Sequence, residues 1–141
     1  MPSTKIKQSM MLGIGSAGEY LTMFEAYLAG YKAHAVGDQS KYDIIVDTGK
    51  KLLRTQVKST TTPSKAKHIQ SFRYQIRRKV AREYLDPYEI NDFELYAFAC
   101  IPLRRVAFIP HKDITNNFKV TIRLEEHNFY TLDRAIKILK G

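Results

Sequence analysis

A chain of 141 residues is long enough for one domain with a real core and too short for two. Hydrophobic residues make up 44% and charged residues 26%, an ordinary globular balance. The formal charge of +9 and pI near 9.7 are not ordinary, and they favour a polyanionic partner, nucleic acid ahead of an anionic membrane.

Residues 1–12 are polar and basic, without the apolar stretch and cleavage site of a signal peptide, and are expected as a loose arm. Gly13-Ile14-Gly15-Ser16-Ala17-Gly18 matches the dinucleotide-binding fingerprint letter for letter, and Asp38 falls where a ribose-binding acid belongs. That fold needs a buried apolar strand before the first glycine and repeated strand–helix alternation. Lys5 to Leu12 is a weak candidate strand, and residues 42–124 offer strand after strand. The glycines are therefore expected as a flexible turn and helix start. Residues 19–30 follow as a helix: Leu21, Phe24 and Leu28 recur at helical spacing, Glu19 suits the first turn and Gly30 supplies a stop. Glu19 shares a stripe with Met23, Ala26 and Gly30, expected to lie close to a sheet.

Residues 32–36 are expected as a strand, and a loop at 37–41 leads to a hairpin. Its two short apolar runs, 42–47 and 51–58, flank the turn Thr48-Gly49-Lys50. Residues 60–67 form a polar loop with Pro63. Residues 69–79 alternate Phe72, Tyr74 and Ile76 with Arg73, Gln75 and Arg77, the pattern of a strand with one basic face. After a connection at 81–92 come a strand pair at 93–101 and 105–109, a strand at 118–124, and a helix at 131–139 opened by a Thr or Asp cap. The lone Cys100 sits in an apolar run and reads as a small buried hydrophobe; it excludes an internal disulfide framework and points to an intracellular location. No apolar run approaches the ~20 residues that span a bilayer. This order of elements predicts one α+β or α/β unit with a mixed central sheet.

The hairpin carries the chemistry. In a strand alternate side chains share a face, so Arg54, Gln56 and Lys58 point one way and Leu53, Thr55 and Val57 the other. The hairpin return brings Asp43 beside Gln56 and Lys58. A carboxylate, an amide and an ammonium make a poor core and a good site for a divalent cation and a phosphate. His34, His68, His111 and His127 are scattered without zinc-ligand spacing.

Gly15-x-x-Gly18-Glu19 opening a helix, then Tyr42-Asp43-Ile44, then Gln56-Val57-Lys58 resembles the PD-(D/E)xK nuclease core. The likeness is strongest to the small homing endonucleases of phages and group I introns, in which a Gln can replace the acid of the last motif. The pair of segments at 90–93 and 105–110 resembles the strands that follow that core. The resemblance implies an α/β, restriction-endonuclease-like core with a mixed central sheet flanked by helices. It implies one nuclease domain over residues 1–141: a basic arm at 1–12, the core at about 13–110, and a C-terminal strand and helix at 111–141. It further implies catalytic Glu19, Asp43, Gln56 and Lys58, and a Mg²⁺ site, open to Mn²⁺, made by Asp43, Glu19, Gln56 and the Val57 carbonyl. Lys58 would hold or polarise the attacking water. Gln56 in place of an acid weakens the case for a second cation, so one tightly bound metal is expected.

Arg54, Lys65, Lys67, Arg73, Arg77, Arg78 and Lys79 are the expected DNA contacts. The expected activity is Mg²⁺-dependent cleavage of double-stranded DNA of the homing kind. A Holliday-junction resolvase and a catalytically decayed DNA-binding module are the alternatives. One active site per chain cuts one strand at a time, so a homo-oligomer, dimer or tetramer, is expected, with no membrane partner.

Overall fold

The computed structural model describes residues 4–37, 41–64, 70–76, 79–80, 83–84, 89–116 and 118–141, with the side chains of 4–9, 11, 79–80 and 83–84 outside that description. Helix α1 (Thr4–Leu28) leads into β1 (Lys32–Ala35), β2 (Ile44–Asp47) and β3 (Leu52–Thr60). Next come β4 (Ser71–Gln75), the short β5 (Lys79–Val80) and β6 (Glu83–Tyr84), β7 (Leu95–Cys100) and β8 (Arg105–Pro110). A single 3₁₀ turn (His111–Asp113), β9 (Lys119–Arg123), α2 (Glu126–Phe129) and α3 (Leu132–Leu139) complete the chain. No described helix is long and apolar enough to cross a membrane.

The central sheet has the order β1-β2-β3-β7-β8, with β3 and β7 parallel and the other neighbours antiparallel. Every residue of β7 is buried, as expected for a strand covered on both faces. Its alternate side chains enter two cores. Leu95, Ala97 and Ala99 join Ile44, Val46, Leu53 and Val57 against Ala26 of α1 and Leu132, Ala135 and Ile136 of α3. Tyr96, Phe98 and Cys100 face the other way, against Phe72, Tyr74 and Ile76 and against Ile122 of β9. The molecule is thus three layers: helices, mixed sheet, and a two-stranded antiparallel ribbon of β4 and β9.

The α/β class, the mixed central sheet, the hairpin and the buried Cys100 agree with the sequence reading. The hairpin turns at Gly49, whose φ of 87° lies in the left-handed region open to glycine. Asp47 accepts from the Gly49 N–H at 2.9 Å and Thr48 from the Lys51 N–H at 3.0 Å, which satisfies the turn backbone locally. Helix α3 starts as expected, with the Thr131 hydroxyl accepting from the Arg134 N–H at 3.2 Å.

The N-terminus differs. Residues 4–12, expected as an arm, belong to α1, and Gly13, Gly15 and Gly18 are helical rather than a turn before it. The face towards the sheet includes Ala26 and Met23 of the expected stripe, with Gly18 and Thr22 buried beside them, while Phe24 and Leu28 are 57% and 69% exposed. Gly18 explains the close approach. A β-carbon there would stand 1.7 Å from Ser59 Oγ, 3.0 Å from Ser59 Cβ and 3.3 Å from Ala99 Cβ.

The ribbon is pinned to α2 through a buried histidine. His127 Nδ1 lies 2.8 Å from the Arg123 carbonyl, which can only accept, so Nδ1 donates; Nε2 then accepts from the Tyr74 hydroxyl at 2.8 Å. Burial pushes this imidazole below its ordinary value of 6.5, outweighing the backbone hydrogen bonds that favour its cation. The unfolded chain therefore takes up a proton that the folded chain resists. Stability should fall as pH drops below about 6.5, until the folded imidazole itself titrates. Urea unfolding at pH 7.5 and 5.5 checks this, since the His127→Gln variant should show a smaller difference between the two pH values than wild type.

Candidate active site

The two strands of the hairpin separate at Asp43. Its N–H still donates to the Thr55 carbonyl at 2.9 Å, and beyond that point β2 no longer runs beside β3. The next outward N–H of β3 on that side belongs to Val57, and Asp43 Oδ2 accepts it at 2.9 Å. The side chain of Asp43 thus continues the ladder for one step and is held at the end of the pairing. Gln56, only 8% exposed, reaches with its amide nitrogen to the Val57 carbonyl at 3.4 Å. A carbonyl has two lone pairs, so this contact leaves acceptor capacity on Val57.

A cavity of 490 Å³ opens along this unpaired edge, lined by Glu19, Asp43, Gln56, Val57 and Lys58 together with Ser59, Thr60 and Thr61. Glu19 arrives from α1, one residue after the Gly18 contact that sets the helix on the sheet. All five groups expected from the sequence therefore line one cavity. Two carboxylates, a backbone carbonyl and an amide are hard oxygen donors of the kind that suit Mg²⁺, so the residues fit a divalent cation of that class. Among the described residues, no three His, Cys, Asp or Glu side chains form a metal-binding cluster. Ser59, Thr60 and Thr61 were missed by sequence reasoning, although their contiguity with Lys58 was a usable signal.

Arg54 lies outside the cavity lining and has an ion-pair partner. Its guanidinium pairs with Glu94 through Nη2, and through Nε at 3.0 and 3.1 Å, and donates to the Asn91 carbonyl at 3.0 Å. Glu94 also accepts from the Arg54 backbone N–H at 3.0 Å, which ties the start of β7 to β3. Burial by itself pushes the Glu94 carboxyl up, but the Arg54 hydrogen bonds outweigh it and hold the group below its ordinary 4.5. Arg54 thus has a local carboxylate partner in Glu94. Of the other expected DNA contacts, Arg73 is exposed on β4. Lys65, Lys67, Arg77 and Arg78 lie outside the described residues, as does the side chain of Lys79.

A family model described as PD-(D/E)XK endonuclease matches residues 13–136. This chain belongs to the PD-(D/E)XK endonuclease family. Among curated proteins, none matches the chain. The fold is similar to that of the bacterial homing endonuclease I-Ssp6803I, with 21% identity over 99% of this chain and 96% of that one and a TM-score of 0.68. It is also similar to the Holliday junction resolvase Hjc of Archaeoglobus fulgidus, with 18% identity over 86% of this chain and 94% of that one and a TM-score of 0.53. The restriction-endonuclease-like core implied by the sequence motifs is therefore present, and the nuclease family is shown.

The Gly18 contact makes a direct test of how α1 is held against β3. In Gly18→Ala the Ser59 hydroxyl can rotate away, but Ser59 Cβ at 3.0 Å and Ala99 Cβ at 3.3 Å cannot. The variant should lose about 1–3 kcal/mol of stability through overpacking. Adding Ser59→Ala should recover only part of that loss in denaturant melts, because both β-carbons remain.

Proposed function

We propose that this PD-(D/E)XK protein is a Mg²⁺-dependent endonuclease of double-stranded DNA, acting as a homing endonuclease inside the cell. The observation that carries this reading is the convergence of Glu19, Asp43, Gln56, Val57 and Lys58 on one cavity at the parting of β2 and β3. Asp43, Glu19, Gln56 Oε1 and the Val57 carbonyl would hold the cation, with Mn²⁺ able to replace Mg²⁺. When bound, the cation would supply Lewis-acid stabilisation of developing phosphate charge and a more acidic water. Lys58 would orient the attacking water and offset charge on the phosphate. Asp43 can act as a fixed ligand because its second carboxylate oxygen is already held by the Val57 N–H.

Catalysis and binding separate by mutation. Asp43→Asn should weaken Mg²⁺ binding in calorimetry, and Lys58→Ala should abolish cleavage while keeping most DNA affinity, since one phosphate contact among many contributes little to binding. Wild-type turnover by Lys58→Ala would sink its assignment. Linear duplex and four-way junction substrates, each with and without Mg²⁺, separate the readings. Preference for the junction would favour a resolvase, to which the fold is also similar. Binding without cleavage of either would favour a decayed module, an outcome that Gln56 in place of an acid makes worth testing.

The proposed oligomer has support from α1. On the side of the helix away from the sheet, Met10, Tyr20, Phe24 and Leu28 are 57–70% exposed, with no charged residue among the positions between them on that face. These side chains present roughly 500 Å² of mostly apolar surface, a large part of the ~800 Å² per partner of a standard interface. An uncharged stripe is self-complementary, and a +9 protein would not use it to hold a polyanion. Phe24→Glu should lower the mass measured by analytical ultracentrifugation. A wild-type protein that sediments as a monomer at tens of micromolar (roughly the μM regime of weak association) would overturn the oligomer.

A further inference from the structure

We propose that the solvent face of the β4–β9 ribbon is a base-reading surface for the major groove of duplex DNA, a reading that rests on the proposed DNA substrate. The antiparallel register sets Arg73 opposite Thr121 and Gln75 opposite Lys119, with Arg123 opposite Ser71. Arg73, Gln75, Lys119, Thr121 and Arg123 are all exposed, while Phe72, Tyr74 and Ile122 between them are buried against the sheet. The outer face therefore contains no carboxylate and no large apolar side chain. Among the described residues, an acid meets the ribbon at its end, where Glu126 accepts from the Arg123 backbone N–H at 2.8 Å.

The arrangement is more specific than a basic patch. Two exposed rungs each pair one cation with one uncharged hydrogen-bonding side chain, Arg73 with Thr121 and Lys119 with Gln75; at the third, Arg123 stands opposite the buried Ser71. The cations fall on alternating strands along the ribbon. Binding the phosphate backbone alone would be served by lysines and arginines throughout. Arg and Gln are instead the side chains whose forked groups match guanine and adenine edges, and Thr can contact the thymine methyl.

The dimensions agree. Successive rungs are two residues apart, about 6.8 Å at ~3.4 Å per residue, which equals two base-pair steps of ~3.4 Å. Two strands ~4.8 Å apart enter a major groove ~12 Å wide. The ribbon is also fixed before any ligand arrives, by the aromatic layer beneath it and by the Tyr74–His127 hydrogen bond. It lies near the cavity. Thr60 and Thr61 line that cavity, Pro63 bridges to Phe72, and the Ser64 N–H donates to the Ser71 carbonyl at 2.7 Å. Three or four residues of chain reach at most ~14 Å, so the Ser71 end of the ribbon lies within about four base-pair steps of the cavity on a straight duplex.

Selection from a randomised duplex library, with binding read in the absence of divalent metal, tests this. Wild type, Gln75→Ala, Arg73→Ala and Arg123→Ala are compared, each checked for a wild-type far-UV spectrum. Gln75→Ala should relax preference about tenfold to a hundredfold at one position, as expected for loss of one bidentate base contact. It should leave the slope of log K against log salt unchanged, because a neutral side chain releases no counterion. Gln75→Arg should exchange the preferred base at that position, which keeps the test open if the alanine variant misfolds. Selection profiles identical in all variants, or arginine variants that change only the salt slope by ~0.9, would overturn base reading and leave a phosphate-binding face. A wild type that binds no duplex would overturn the DNA substrate itself, a failure distinct from the first.

Discussion

The structure depends on where β2 stops pairing with β3. Had the hairpin continued, the outward N–H and carbonyl of Val57 would have been used in a ladder, and the edge beyond Thr55 would have been closed. Instead the ladder ends with the Asp43 N–H on the Thr55 carbonyl, and the Asp43 carboxylate takes the next N–H. A buried or half-buried strand edge with an orphan donor costs about 1–3 kcal/mol, so the carboxylate makes the parting tolerable. The same parting opens the cavity, and β7 on the other side of β3 keeps the strand straight and rigid across it. Local pairing chemistry and the candidate site are therefore one feature.

Much of this was legible in the sequence because the signals were local. The Gly49 turn, the alternation of Leu53, Thr55 and Val57 with Gln56 and Lys58, and the apolar runs of β7 and β8 each follow from a period of two and a turn residue. The order Glu19, Asp43, Gln56, Lys58 then identified the family. What was not legible depends on partners far along the chain. Arg54 looked like a free cation because Glu94 is forty positions away. The ribbon face could not be read from β4 alone, since Lys119, Thr121 and Arg123 join it only through the β4–β9 pairing.

Helix α1 misled for a physical reason. Three glycines predict a turn, because each costs about 1 kcal/mol relative to alanine inside a helix. Gly18 shows what offsets that cost: only a residue without a side chain lets the helix rest on Ser59 and Ala99. The apolar spacing of Leu21, Phe24 and Leu28 was a true helical signal, but of the three only Leu21 packs against the core. The helix meets the sheet through small residues, Gly18, Thr22 and Ala26, with Leu21 and Met23 partly buried beside them, and leaves Tyr20, Phe24 and Leu28 outside. Hydrophobic periodicity reports that a face will be covered, not whether the cover comes from the same chain.

The charge of the proposed site gives Gln56 a physical rationale. Asp43, Glu19 and Lys58 together contribute a formal charge of minus one to the cavity, whereas an acid at position 56 would make it minus two. In a half-buried site each added charge acts through a dielectric far below that of water, so the difference is felt by cation and phosphate alike. More negative charge holds a divalent cation more firmly and repels the incoming phosphate more strongly. Gln56 shifts that balance towards the phosphate, and its amide nitrogen also contacts the Val57 carbonyl, which a carboxylate could not do. If Asp43 and Glu19 hold a cation as proposed, a neutral residue at position 56 would limit cation binding to what those two carboxylates support and would tie activity to the divalent cation concentration.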